Sequence, residues 1–138
     1  MALDKTFEFS DKQAMTATAV STVVHENTHS STDAWGSSIS NQIGGMSFNV
    51  AITTTLTSTG TMAITLVTKT ADASLSASGT TLATINVSAA AAAGTKYSVI
   101  LPAGTERLKY LGALLTESGS ISAGNCNVWL GLKNEVID

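Results

Sequence analysis

The chain has few charged residues, few aromatic residues and a single cysteine. Of its 138 residues, 12% are charged and 5% are aromatic, and one residue is a proline. Seven basic residues against ten acidic residues give a net charge of −3. That is too little positive charge for a surface that binds phosphates, so we expect no nucleic acid partner. The lone Cys126 has no second cysteine with which to form an internal disulfide.

Long apolar runs are also missing. No stretch approaches the ~18 consecutive apolar residues of a membrane span, and the opening MALDKTFEFSDK has no apolar signal-peptide core. We therefore expect no membrane partner, and a protein that is used in the cytoplasm or assembled there into something larger. A chain of this length buries roughly two-thirds of its unfolded surface, so it needs neither disulfides nor metal to fold.

Small and β-branched residues dominate the composition. Threonine (21), serine (17) and alanine (19) account for 57 of the 138 residues, a bias that is typical of strands and turns. The hydrophobic content of 43% and the low net charge together argue against intrinsic disorder.

Alternating apolar residues predict strands along most of the chain. The clearest run is 46–57, in which one face carries Met46, Phe48, Val50, Ile52 and Leu56. A turn at Ser58-Thr59-Gly60 leads into a second alternating run over 61–70, which predicts a β-hairpin. Further strands are predicted over 13–24, 80–87, 96–101, 107–116 and 125–132. A short helix is the alternative for 107–116, because its leucines also fit a period of 3.6.

About eight short strands separated by turn signals predict an all-β fold, an antiparallel jelly roll or β-sandwich. We predict a single β-sandwich domain over residues 1–138, with a short N-terminal arm (1–12) and a long loop (25–45). No helical period of useful length appears, which excludes a βαβ fold with its cofactor crevice.

The most suggestive chemical motif is His25-Glu26-Asn27-Thr28-His29, which has the H-E-x-x-H spacing of zinc proteases. That spacing places both histidines on one face only in a helix, and this segment joins a β-patterned run to a loop rich in Ser, Thr and Asp. We interpret it as a solvated loop and expect no metal.

The other reactive side chains give no catalytic pattern. Cys126 lies on the inferred buried face of the last strand, where a core thiol is the usual role. No G-x-S-x-G motif or phosphate-binding glycine loop occurs, and the carboxylates are sparse. We therefore expect no enzymatic activity, no catalytic residues and no cofactor.

Aromatic residues are the best candidates for contacts with other molecules. Phe7 and Phe9 lie in the predicted arm and Trp35 lies in the long loop, where large apolar side chains must be covered by the domain or by a neighbour. We predict these three residues as interface candidates. The alternative is that Trp35 and Trp129 form a platform on which carbohydrates stack, although tryptophan is found more often at protein interfaces and in cores.

Three segments resemble one known family, the jelly-roll capsid cement (decoration) proteins of tailed bacteriophages of the podovirus type. The segments are LDKTFEFSDKQAMTATAVST, with its S-D-x-Q-A-x-T pattern; GGMSFNVAITTTLTSTGTMAITLVT, paired strands around a Ser-Thr-Gly turn; and ILPAG followed by KYLGALLTESGSISAGNCNVWLGL. They cover most of the chain, and none is a catalytic signature. The sequence of the region 25–35 departs from the pattern of the family.

The resemblance implies a structural virion protein on the capsid exterior, assembled in the host cytoplasm. Such a protein binds the outer surface of the major capsid protein, bridges capsomers and stabilises the head. The resemblance also implies self-association as a homodimer, with a homotrimer as the alternative. The alternative functions are an adhesin-like or carbohydrate-binding β-sandwich module, a tail component and, through His25, Glu26 and His29, a small metallohydrolase.

Overall fold

The structure is a computed structural model that describes residues 8–21, 25–26, 43–69, 79–106, 108 and 110–131. Within these ranges the chain forms nine strands and no helix, and nothing there has the length and apolar character of a membrane-spanning helix. The strands are β1 (Glu8–Ala14), β2 (Ala19–Val20), β3 (His25–Glu26), β4 (Ser47–Ser58), β5 (Thr61–Lys69), β6 (Thr80–Val87), β7 (Lys96–Ile100), β8 (Tyr110–Ser118) and β9 (Ile121–Gly131).

The strands form two antiparallel sheets. The first sheet has the order β1-β9-β4-β7, and the second has the order β2-β8-β5-β6, with β3 also paired to β8. Ala19 faces Leu115 and His25 faces Leu111, so β2 and β3 lie along the same edge of β8 and act as one strand. With those two counted together, eight strands in two sheets have jelly-roll connectivity, which confirms the predicted all-β sandwich.

The core lies between the two sheets. It is built from the inward faces of the strands, because alternate side chains of a strand point to opposite sides. Its largest fully buried side chains include Phe9, Met15, Phe48, Ile52, Leu56, Met62, Ile64, Leu66, Leu111, Leu115 and Leu130. The alternation predicted for β4 and β5 is therefore confirmed.

The sandwich has two different ends. At one end, tight turns join β4 to β5 (Ser58 to Thr61) and β8 to β9 (Ser118 to Ile121); we call this the hairpin end. At the opposite end, which we call the connection end, Ser47 of β4 lies between Ile100 and Gly131.

Some predicted boundaries are wrong. The run 13–24 is not one strand: the chain leaves the first sheet after Ala14 and joins the second sheet at Ala19. Small residues such as Ala14, Thr16, Ala17 and Thr18 continue through the crossing, so the sequence carries no break in pattern there. The helix alternative for 107–116 is wrong, because β8 is extended and buries leucines on the core side. The last strand begins four residues earlier than predicted, at Ile121.

The predicted N-terminal arm (1–12) is also wrong in part. Residues 8–12 belong to β1, which pairs with β9 from Glu8 opposite Trp129 to Ala14 opposite Asn125. Residues 1–7 lie outside the described part of the chain, as do residues 27–42 of the predicted long loop. Residues 25–26 of that loop form β3 instead.

Candidate functional site

The described residues that border the rest of the chain lie at the connection end. The segments 1–7, 27–42, 70–78 and 132–138 are flanked by Glu8, Glu26, Ile43, Lys69, Gly79 and Gly131. The register places these flanks together at one end: Glu8 lies beside Trp129 in the first sheet, and Glu26 and Lys69 both face Tyr110 in the second. Two predicted interface residues, Phe7 and Trp35, belong to these segments and lie outside the described residues.

A compact pair of turns closes this end on the β4–β7 side. Ile43 donates its backbone N–H to Thr105 O at 3.0 Å, and Gly45 donates to Leu101 O at 2.9 Å. Gly44 packs so closely that a Cβ there would lie 2.7 Å from Pro102 O. The chain entering β4 is thus held against the chain leaving β7, which fixes where the preceding segment starts.

Phe9, the third predicted interface residue, does not belong to a surface arm. It is 0% exposed and packs in the core between the sheets. Its side chain points inward from β1, so it is not available for contact with another molecule. The prediction failed because an arm and an edge strand share the same alternating pattern of apolar residues.

A row of polar side chains is buried on the outer face of the first sheet. Ser98 Oγ donates to Asn49 Oδ1 at 2.7 Å, and Asn49 Nδ2 donates to Ser47 O at 3.2 Å and to Ser47 Oγ at 3.0 Å. Asn49 is 4% exposed and Ser47 is 2% exposed. The alternation in β4 had predicted a solvated polar face, so this row was missed by the sequence analysis.

Trp129 lies beside this row. It faces Asn49 on one side and Glu8 on the other, outside the core cluster. Only 3% of the residue is exposed, and its Nε1 has no hydrogen-bond partner among the described residues. A ring buried to this extent offers no face on which a sugar could stack. Trp129 therefore cannot form half of the carbohydrate platform that was the alternative for Trp35 and Trp129.

Cys126 is a core residue, as predicted. It lies on the inward face of β9 opposite Ile52 and Gln13 and has no exposed surface. Burial raises the pKa of its thiol to about 12. Near neutral pH the side chain is therefore a protonated thiol, the form that does not attack electrophiles.

The first two residues of the H-E-x-x-H motif lie in a strand. His25 and Glu26 form β3 and pair with Leu111 and Tyr110 of β8, so the backbone there is extended rather than helical. Zinc binding by this motif requires both histidines on one helix face, which an extended backbone at its start does not provide. His29 lies outside the described residues, and within those residues no three metal-ligating side chains converge.

The most apolar exposed surface of the described chain is at β7. Val99 is 38% exposed and Ile100 is 51% exposed; Leu108, at 36%, is the other large exposed apolar side chain among the described residues. Among the described residues β7 is an edge strand, paired with β4 alone. The sequence analysis treated 96–101 as an ordinary strand, because position at an edge depends on strand order and leaves no local pattern.

The described part of the molecule therefore has the geometry of a jelly-roll scaffold with exposed apolar side chains along one edge strand. A model of the Bbp16 family matches residues 9–130, which is most of the chain. The chain therefore belongs to the Bbp16 family. No curated protein matches it.

Proposed function

We propose that this protein is a capsid cement (decoration) protein of a tailed bacteriophage, without enzymatic activity or a cofactor. It binds the outer surface of the major capsid protein, bridges capsomers and stabilises the head on the capsid exterior, after assembly in the host cytoplasm. The observations that support this proposal are the two-sheet jelly-roll scaffold and membership of the Bbp16 family over residues 9–130.

This arrangement suits a protein that holds other proteins together. β4 and β9 form a ladder of nine paired residues from Ser47–Gly131 to Ser58–Ile121 in one sheet, and β5 and β8 form another of nine pairs in the other sheet, with the core between them. Membership of the Bbp16 family and the three resembling sequence segments are in keeping with the same role.

The proposed mechanism is mechanical. Each copy adds contact area between capsomers, and that area must be broken before the shell can expand or open. Because many copies act on one particle, modest individual contacts become strong together. Phe7 and Trp35 supply apolar anchors from the segments at the connection end, as aromatic side chains do at many interfaces.

Particles that lack the protein provide the test. Purified wild-type, Phe7→Ala and Trp35→Ala chains are added to such particles, and occupancy and heat-induced DNA release are measured. Thr84→Ala, in an exposed position of β6, serves as the control. We expect the aromatic variants to lower occupancy and heat resistance while the control matches the wild type. Full occupancy and heat resistance with both aromatic variants would show that these residues do not form the contact.

Copy number separates this function from its alternatives. Quantitative mass spectrometry of virions should give a number of copies close to that of the major capsid protein. A handful of copies per virion would instead identify a tail component. Saturable glycan binding by the purified protein would identify an adhesin-like or carbohydrate-binding module.

A further inference from the structure

The backbone of β7 points alternately towards β4 and towards the outer edge of the first sheet. Leu101 donates its N–H to Met46 O at 2.8 Å, and Ile52 donates to Thr95 O at 2.8 Å. In an antiparallel ladder the hydrogen-bonded pairs recur at every second residue. The backbone groups of residues 95, 97, 99 and 101 therefore point towards β4, and those of residues 96, 98 and 100 point away from it.

The outer edge of β7 is a template for a further strand. Lys96, Ser98 and Ile100 direct their N–H and C=O groups to this edge, where no described strand pairs with them. Unpaired main-chain groups in an edge strand readily accept another extended segment. Val99 and Ile100 expose apolar side chains beside these groups, so an added strand would cover both kinds of surface.

The one charged residue of β7 is Lys96, which is exposed. Its neighbour across the ladder is Ala51 of β4, and the residue that faces Ala51 from β9 is Asn127, so the row contains no acidic group. No described carboxylate forms an ion pair with Lys96. A carboxylate on an added strand, placed directly opposite Lys96, would therefore meet a cation that lacks an acidic neighbour, and such cross-strand pairs of opposite charge are stabilising.

Other edges of the described sheets are less suited to an added strand. β1, at the opposite edge of the same sheet, contains Glu8, Asp11 and Lys12, has two register shifts against β9, and has a positive φ of 52° at Lys12. Charges and bulges of this kind protect edges from pairing. β6 exposes polar Thr84 and Asn86 and has a register shift against β5. The register of β7 with β4 is unbroken.

We propose that β7 is the docking strand for an extended segment of the major capsid protein. The segment adds to the outer edge of β7 as a fifth strand of the first sheet and carries a carboxylate opposite Lys96. In strand addition the main-chain hydrogen bonds supply affinity, and alternate side chains supply specificity. The inference rests on the proposed function and deepens it, because it specifies which surface holds the shell and what that surface recognises.

The two faces of β7 define the sequence pattern of the segment. On the inner face, its side chains meet Val99 and half-buried Tyr97 and turn towards β6, whose half-buried Leu82 packs on the core, so these positions are apolar. On the outer face, a carboxylate opposite Lys96 and an apolar residue opposite Ile100 lie four positions apart, because alternate residues share a face. Pairing of this kind also aligns the strands of the sandwich with the segment of the shell.

Amide hydrogen exchange tests the pairing directly. In the isolated full-length chain the amides of Tyr97 and Val99 should exchange slowly, because they bond to β4, and those of Lys96, Ser98 and Ile100 should exchange fast. The chain is then bound to particles that lack the protein, exposed to deuterated buffer, released under quench conditions and read by mass spectrometry with residue resolution. On the particles the three outward amides should exchange at least about tenfold more slowly than in the isolated chain.

A proline variant with a matched control tests the same hydrogen bonds. Ser98→Pro and Ser98→Ala both lose the bond from Ser98 Oγ to Asn49 Oδ1. Only proline also removes the outward N–H and places a ring at the edge, while the bonds to β4 do not use this N–H. Ser98→Pro should bind the particles at least about tenfold more weakly than Ser98→Ala. Circular dichroism and urea unfolding show whether both variants are folded.

A charge series at Lys96 tests the carboxylate and does not depend on the proline variant. Lys96 is exposed, so Lys96→Arg, Lys96→Gln and Lys96→Glu should all fold. Affinity for the particles should fall in that order, with Lys96→Glu about tenfold weaker than Lys96→Arg. The difference between the wild type and Lys96→Gln should shrink as salt is added, since salt screens the exposed ion pair.

Three outcomes separate this inference from the cement function. Full occupancy on the particles with fast exchange at Lys96, Ser98 and Ile100 would overturn the docking strand and leave the cement function standing. Slow exchange of the same amides in the isolated chain, increasing with its concentration, would show that a second copy occupies the edge and would also overturn the proposal. A wild-type chain that does not bind the particles at all would refute the cement function itself.

Discussion

Gly119 and Gly60 contact each other where the two hairpins of the sandwich meet. A Cβ added to Gly119 would lie 2.9 Å from Gly60 Cα. Gly60 lies in the turn between β4 and β5, and Gly119 lies in the turn between β8 and β9. Because each hairpin has one strand in each sheet, this backbone contact ties both sheets together at the hairpin end.

Replacing Gly119 with alanine should therefore lower the free energy of unfolding by more than backbone strain alone would. Gly119 has φ +90° and Gly94 has φ +92°, but a Cβ at Gly94 would meet nothing within 4 Å. Gly94→Ala should cost about 1 kcal/mol from the left-handed conformation. Gly119→Ala should cost a further ~1–3 kcal/mol from the close contact. Urea unfolding of both variants measures the difference, and equal losses would contradict the contact.

Phe9→Ala should strongly destabilise the isolated chain. Phe9 is fully buried, and truncating a buried phenylalanine typically costs about 3–5 kcal/mol. Leu108→Ala, at a partly exposed position, should cost much less. Denaturant unfolding of the purified protein checks both values. If the Phe9→Ala chain is as stable as the wild type, Phe9 is not a core residue and is again a candidate for contact with another molecule.

The buried polar row should contribute to stability through Asn49. Its side chain accepts a hydrogen bond from Ser98 and donates to Ser47. Asn49→Ala removes both of these hydrogen bonds at a position that is only 4% exposed, at a cost of about 1–3 kcal/mol. The control is Asn86→Ala, which removes the same side chain from an exposed position of β6. If both variants lose equal free energy of unfolding, the row is not a stabilising network.

Cys126 should make the fold less stable at high pH. Burial raises the pKa of its thiol from 9.0 to about 12, so the folded state favours the protonated form. This stabilisation is fully present below pH 9 and is lost as the pH rises from about 9 to about 12. The whole loss corresponds to about 4 kcal/mol, at ~1.4 kcal/mol for each tenfold change in proton affinity.

The control for this pH dependence is Cys126→Ala, which retains every other titrating group. Its free energy of unfolding should fall less steeply between pH 9 and pH 11 than that of the wild type. Parallel curves would show that Cys126 does not titrate with unfolding. In the folded wild type at neutral pH, the thiol should also resist aromatic disulfide reagents until the protein is denatured.

The fold class was readable from the sequence because it depends on local alternation. The run from Phe48 to Leu56 has a period of two, and glycine marks the turn that follows it, so β4 and β5 were predicted nearly to their ends. β6 was predicted without error over residues 80–87. The predicted start of β9 was wrong, because Ser122, Ala123 and Gly124 have too little apolar character to indicate a strand.

Features that depend on strand order could not be read in this way. Ser47 and Asn49 alternate with core residues as solvated positions do, and only the tertiary structure shows that both are buried. Phe9 has the same pattern whether it lies in an arm or in a strand. The edge position of β7 likewise depends on which strands neighbour it, since nothing within the run from Lys96 to Ile100 indicates that β4 is its one partner among the described strands.

The placement of the ends of β4 and β9 also determines how the first sheet bears a load. Ser47 at the start of β4 and Gly131 at the end of β9 are paired with each other at the connection end. A force that pulls these two residues apart therefore opens the nine residue pairs one after another. A force applied between Ser47 and Ile121, at opposite ends of the ladder, would instead load all nine pairs together in shear, so the ladder resists the second force far better than the first.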